Sequence, residues 1–274
     1  MFWWRMRHNP KAIVGGVIVV LLLVVAVTAP VIAPKDPTDG ELADSLAPPG
    51  QGYALGADKN GRDIFSRLLY GTRTALGGAL MIVVISEVVG VPIGIWAAYR
   101  GGWVDETITR IWDMLLAFPP LLAFAVVAAF GPGLPKAALS LGILYVPFIA
   151  RVVRSVTLVQ KEMAYTEAAR ALGYGQGRII FRHILPNCVS PIIIVSSIDI
   201  AYALLDLAAL SYLGLGVQPP TADWGTMLSE GQLVLLTSPH VALAAGLAIV
   251  AAVLGFNLLG DGLRDVLDPR QAQR

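Results

Sequence analysis

Long uncharged apolar stretches alternate with polar connections along nearly the whole chain. Residues 12–33 are twenty-two positions without a charge, preceded by Arg5, Arg7 and Lys11. About twenty apolar residues cross a bilayer as a helix, so this stretch predicts a first span. Val27-Thr28-Ala29 faintly resembles a signal-peptide cleavage site. The apolar run is longer than a signal core, however, and Pro30 is a poor residue to follow a cut, so an uncleaved helix is expected. Residues 34–73 read as a polar loop rich in proline and glycine. The second predicted span, 74–99, is broken only by Glu87. A short turn with Arg100, Asp105, Glu106 and Arg110 leads to a third, 114–131, which Pro119-Pro120 should kink unless neighbours satisfy the freed carbonyls. The fourth, 137–156, has only fourteen uncharged residues before Arg151 and needs Arg151 and Arg154 to snorkel toward the interface. Spans at 189–213 and 241–260 complete six, followed by a polar tail, 261–274.

The charge-bearing segment 162–187 breaks this rhythm. Glu162 and Glu167 come early and Arg170 late, the order that suits a helix dipole. Gly173 stands where such a helix needs a left-handed cap. A second short helix is predicted from about Gln176 to Leu185, with Ile179, Ile180 and Ile184 on one side, and Pro186 predicts a stop or kink. Two short helices around Gly173-Tyr174-Gly175, with small side chains at Ala168, Ala169 and Ala171, form a docking element. A plain solvated loop explains its charge but not its isoleucines. A DNA-binding helix-turn-helix is disfavoured by the flanking spans and the weak basic character.

Composition agrees with a membrane protein: 56% of the 274 residues are hydrophobic and 14% charged, against roughly 25% charged in soluble domains. A net charge of +1 provides no field for nucleic acid. Fourteen of the twenty Lys/Arg fall in 1–11, 100–110, 151–187 and 261–274, and six in the alternate connections. By the positive-inside rule both termini and the docking segment then face the cytoplasm. One cysteine, Cys188, forms no internal disulfide, and no Cys/His grouping has metal-ligand spacing. Asp58-Lys59-Asn60 fails as a calcium loop because Leu69 stands where the closing glutamate belongs. Gly214-x-Gly216 fails as a dinucleotide fingerprint because Pro219 replaces its third glycine. No Gly-Lys dipeptide exists, so a phosphate loop is absent, as are HExxH and GxSxG. No catalytic residue and no bound metal or cofactor are expected.

Glu167-Ala168-Ala169, then Gly173, then Leu185-Pro186 closely resembles the EAA signature of binding-protein-dependent ABC importer permeases. His183 stands where the general pattern has isoleucine; the His-Ile-Leu-Pro-Asn form is typical of the dipeptide/oligopeptide/nickel branch. Three further stretches resemble that branch. These are Gly61-Arg62-Asp63 through Ser66-Arg67, Gly71 and Arg73; Leu210-Ser211-Tyr212-Leu213-Gly214-Leu215-Gly216 through Pro219-Pro220 and Trp224-Gly225; and Asn257 through Asp265 with Asp268-Pro269-Arg270. The resemblance runs from about residue 9 to 270 and fits the second, C-type permease subunit of such systems. Tyr53-Ala54-Leu55-Gly56-Ala57-Asp58 and Thr221-Ala222-Asp223 depart from the usual family forms.

The resemblance implies an all-α integral membrane protein of six transmembrane helices with the type I importer (MetI-like) fold: a first helix at 12–33 and a five-helix core at 74–260 that includes the cytoplasmic coupling segment 161–187. It implies that Glu167, Ala168, Ala169, Gly173, Leu185 and Pro186 couple to an ATPase, the alanines and glycine allowing close seating. It also implies a second, non-identical permease, two ABC ATPase subunits carrying the ATP and Mg, and an extracytoplasmic binding protein, with Trp224 and Gly225 as candidate contacts to the last. Asp199 and Asp206, seven residues apart, share nearly one helix face. Charges within spans point to function by default, here the translocation path, but polar bonding between helices is common and is the favoured explanation. They also support a rival, an ion-coupled secondary transporter, which predicts internal repeats that the sequence does not display. A membrane scaffold without transport is a third reading, and it would tolerate neutralising both aspartates.

Overall fold

The computed structural model describes residues 6–50, 52–117 and 129–267. Its described secondary structure is helical apart from two isolated bridges, Gly40 with Arg62 and Ala57 with Asp63. The helices are α1 (Pro10–Ile32), α2 (Ile64–Arg100), α3 (Gly102–Ala117), α4 (Leu134–Lys161), α5 (Ala164–Ala171) and α6 (Gln176–Ile179). A π-helical stretch, Ile180–Ile184, joins α6 to α7 (Leu185–Tyr212); α8 (Trp224–Gln232) and α9 (Pro239–Leu267) follow. Five helical segments among the described residues are long and apolar enough to cross a membrane: Pro10–Ile32, Ile64–Arg100, Leu134–Lys161, Gln176–Tyr212 and Pro239–Leu267. The centre of the expected third span, residues 118–128 with Pro119-Pro120, lies outside the described residues, as do residues 1–5 and 268–274 with Asp268-Pro269-Arg270.

α1 starts at Asn9, whose side chain accepts hydrogen bonds from the Lys11 and Ala12 amides, satisfying donors that a helix start leaves open. It packs along α9. A side-chain carbon added at Gly15 would run into the backbone of Leu259 and Gly255, so the two helices touch main chain to main chain, as small residues permit in lipid. At their ends the Asn9 side-chain amide donates to Asp265 (3.2 Å) and Lys11 lies 3.6 Å from the same carboxylate.

α2 begins ten residues before the expected start of the second span, so the loop expected at 34–73 ends at Asp63. The Asp63 carboxylate caps the helix, accepting from the Ser66 amide at 2.7 Å and its hydroxyl at 2.6 Å. Three of the polar residues that made 64–73 look like loop, Ser66, Arg67 and Thr72, are buried, Arg67 at 1% exposure, while Arg73 is exposed. The turn expected around 100–110 is instead helix α3. Its Asp105 receives two bonds from Arg154, at 2.5 and 2.6 Å, and its Asp113 one from Arg151 at 2.8 Å. α4 runs from Leu134 to Lys161 with both arginines partnered by carboxylates of α3. α9 likewise continues into the expected tail, to Leu267. The core between α2, α4, α7 and α9 is rich in alanine, with Ala79, Ala137, Ala138, Ala201, Ala203, Ala245 and Ala252 among its buried members beside Ile82, Leu207 and Leu210. Helices with such small residues approach closely, and their contacts do not depend on a solvent-driven core.

Candidate functional site

Between α4 and α7 the chain leaves the bundle for a compact helical element. Glu162 ends α4, and α5 starts two residues later. The cap predicted at Gly173 is present. Gly173 has φ +77°, the Tyr174 amide donates to the Ala169 carbonyl (3.1 Å) and the Gly173 amide to that of Arg170 (2.9 Å). That pair of bonds is the Schellman closure, which needs a left-handed residue just past the helix. Nothing lies within 4 Å of where a side chain at Gly173, Gly175 or Gly177 would start, so the turn is open on its outer side.

The isoleucines that a solvated loop left unexplained form the seat of this element. Ile179 and Ile184 are buried with Ala169 and Cys188, and Tyr99, Val156, Ile180 and Ile192 pack around them. Thr166, fully buried, donates from its hydroxyl to the Gln160 carbonyl at 2.8 Å and ties α5 to the end of α4. The expected docking residues therefore divide. Glu167, Ala168, Gly173 and Pro186 are exposed, Leu185 is half-buried, and Ala169 is 3% exposed and points into the seat. Ala169 is packed inward in this structure, unlike its neighbour Ala168. Leu172 and Phe181, each 73% exposed, extend the outward face.

Pro186 does not stop the helix. It lies inside a continuous helix just after the π-helical stretch Ile180–Ile184, whose wider winding changes the register of the carbonyls that its missing amide would otherwise leave open. The segment from Gln176 to Tyr212 is consequently one 37-residue helix. The exposed turn is thus joined to a span by unbroken helix.

Within the bundle, Glu87 on α2 accepts a hydrogen bond from Ser196 on α7. Tyr145 on α4 donates to Asp206 at 2.7 Å. Asp199 and Tyr202 lie in electrostatic reach of Tyr145, and Glu87 in that of Asp199. The two aspartates expected on one face are thus drawn into a set of acids and tyrosines shared by α2, α4 and α7. Hydrogen bonds between helices are made by this arrangement.

Trp224 and Gly225 are buried. The Trp224 indole donates to the Leu68 carbonyl at 3.2 Å, and a side chain at Gly225 would strike the Ala208 carbonyl and Ser211. Neither offers a surface to a soluble partner. They hold α8 against α2 and α7, and the exposed stretch beside them is 218–221. Burial pushes the Asp223 carboxyl up from the ordinary range, opposed by the Thr226 and Gly225 amides it caps and by Ser211.

A cluster that the sequence left unassigned lies next to these residues. Arg62 donates to Asp58 (2.7 Å) and to both oxygens of Glu230 (3.0 and 3.2 Å). Arg67 lies 3.4 Å from Asp58 and 3.5 Å from Glu230. Two arginines and two carboxylates thus lock the loop before α2 to α8. Glu230, an acid in a connection free of Lys and Arg, facing a segment with arginines five residues apart, was the available signal.

Residues 90–273 match the model of the family described as binding-protein-dependent transport system inner membrane component, and residues 1–49 that of the N-terminal TM domain of oligopeptide transport permease C. The glutathione transport system permease protein GsiD of Pectobacterium atrosepticum is 44% identical over 271 residues, covering 98% of this chain and 90% of that protein. The dipeptide transport system permease protein DppC of Alkalihalophilus pseudofirmus is 40% identical, covering 97% and 88%. Among solved structures, an inward-facing MetNI methionine ABC transporter chain superposes with TM-score 0.62 at 19% identity, over 74% of this chain and 97% of that one. That likeness concerns the fold.

Proposed function

The chain belongs to the binding-protein-dependent transport system inner membrane component family, and from that premise we propose that it is the C-type permease of an ATP-driven importer of short peptides, glutathione-like peptides included. Family membership removes the rival of an ion-coupled secondary transporter built on Asp199 and Asp206. Its relatives, glutathione and dipeptide permeases, favour short peptides over nickel chelates.

One observation carries the mechanism. The exposed Glu167–Ala168 face and the open Gly173 turn are seated on the start of a single helix that runs on through the bundle to Tyr212. A partner pressing on the turn pushes on a span. In this reading two ABC ATPase subunits, which bind the ATP and Mg, receive the turn through Glu167, Ala168, Gly173 and the exposed Pro186, while Leu185 and Ala169 back it. Their closure tilts α7, and with it Asp206 and Asp199, which line the path and meet a peptide's ammonium group. A second, non-identical permease completes the path. The binding protein delivers its ligand at the opposite face, near residues 218–221. The basic bias of 1–11, 151–187 and 261–274 supports cytoplasmic termini and a cytoplasmic turn in the cell membrane.

Proteoliposomes holding this chain, its second permease and the ATPase pair, supplied with binding protein, should take up glutathione or dialanine only with ATP. Uptake driven by an ion gradient without ATPase subunits overturns the reading.

A further inference from the structure

His183 lies in the π-helical stretch, with its imidazole between two tyrosines. Its ring stacks on Tyr174 with centroids 6.2 Å apart and planes at 20°, and meets Tyr165 at 6.2 Å and 36°. Tyr165 belongs to α5, and Tyr174 follows Gly173 in the open turn. The Arg178 guanidinium lies 5.0 Å from the Tyr174 ring centroid. Asn187, at the start of α7, donates to the His183 carbonyl (2.6 Å) and to the Tyr165 hydroxyl (3.3 Å), and that hydroxyl also bonds Gln160 at the end of α4. A ladder of Arg178, Tyr174, His183 and Tyr165 therefore bridges the turn, α5 and the entry to α7. The imidazole Nε2 is shut off from water without a hydrogen-bond partner, so the ring acts here through its faces.

α5 is otherwise held by the small Ala169 seat, by Thr166, by the Arg170 side chain, which donates to the Lys161 carbonyl at 3.2 Å, and by two short connections. Left to these, a displaced turn can swing as a flap. We propose that His183 is a positioning residue for coupling, clamping the open turn and α5 to the entry of α7 so that displacement of the turn by the ATPase is carried into the span. The proposal rests on the importer reading above. Aromatic pairs of this geometry each favour the clamped arrangement by roughly 2- to 12-fold.

The test uses the whole reconstituted transporter with glutathione and dialanine as probes, and reads ATP hydrolysed per molecule taken up, normalised to assembled complex. His183→Ala is expected to raise that ratio about fivefold or more, and His183→Phe, which restores a stacking face, to return it to within about twofold. Tyr174→Ala, at a half-exposed position that leaves the seat intact, is expected to repeat the His183→Ala result and serves if His183→Ala does not assemble. A merely structural role lowers the amount of complex and leaves the ratio unchanged; that outcome overturns the proposal, as does His183→Phe behaving like His183→Ala. Failure of the wild-type complex to couple uptake to ATP is a separate result, and it strikes the importer reading itself.

Discussion

Replacing Glu230 with glutamine probes the charge cluster between α2 and α8. Side-chain exposures of 1% for Arg67, 3% for Asp58, 5% for Arg62 and 14% for Glu230 place all four groups largely out of water. The native set is neutral, with Glu230 accepting two bonds from Arg62 and lying 3.5 Å from Arg67. Glutamine keeps the shape but leaves two guanidiniums sharing Asp58. Breaking a buried pair on one side costs about 3–5 kcal/mol, because the remaining charge is uncompensated. For a chain of this size that corresponds to a melting shift of roughly 6–20 °C. Lys59, 4.0 Å from Glu230 and 41% exposed, adds little. The assay is alkylation of Cys188, fully buried in the folded chain, followed by mass on this chain as membranes are heated. Adding Arg67→Met restores neutrality with the Asp58–Arg62 pair intact, so the double variant should melt above Glu230→Gln alone, with a coupling energy of about 1–3 kcal/mol. A shift equivalent to less than about 1 kcal/mol for the single variant, or simple additivity in the double, refutes the reasoning.

Three further outcomes follow from the docking element and the first helix. Ala169→Glu places a carboxylate among Ile179, Ile184 and Cys188 and should remove folded protein from the membrane fraction, whereas Ala168→Glu should leave its amount unchanged and lower ATP-driven uptake. Gly173→Ala should cost about 1–2 kcal/mol from its left-handed backbone alone, since the site is open, and Gly173→Asn clearly less; melting of the two variants side by side checks this. Gly15→Val should part α1 from α9, because the added carbons meet backbone that no rotamer can move aside. Its melting, read by alkylation of Cys188 in heated membranes, should then fall below that of the Gly15 parent, and an unchanged midpoint refutes the close approach.

The docking element shows how far local chemistry could be read in advance. The cap at Gly173 was legible because a left-handed helix end has few residue solutions. The isoleucines at 179 and 184 signalled burial before their partners were known. Ala169 and Ala168 looked alike, and only the rotation of α5 over the seat separated an inward from an outward position. Pro186 was read as a stop or kink by the rule for helix interiors. A π-helical stretch just before it lets the helix continue through the proline, and such a stretch has no reliable sequence mark.

The membrane class, the order of the five described apolar helices, the docking element, the absence of a phosphate loop and the family signature were all legible in the sequence, since each depends on apolar length, charge placement or local backbone rules. Where arginines appear inside an apolar helix, the chain alone cannot say what neutralises them. Tertiary structure decided that Arg151 and Arg154 meet the acids of α3, that Arg62 and Arg67 meet Asp58 and Glu230, that Trp224 is a buried brace, and that His183 lies between two tyrosines. Those contacts join residues up to 168 positions apart, and their partners are chosen by helix packing, which no local pattern encodes.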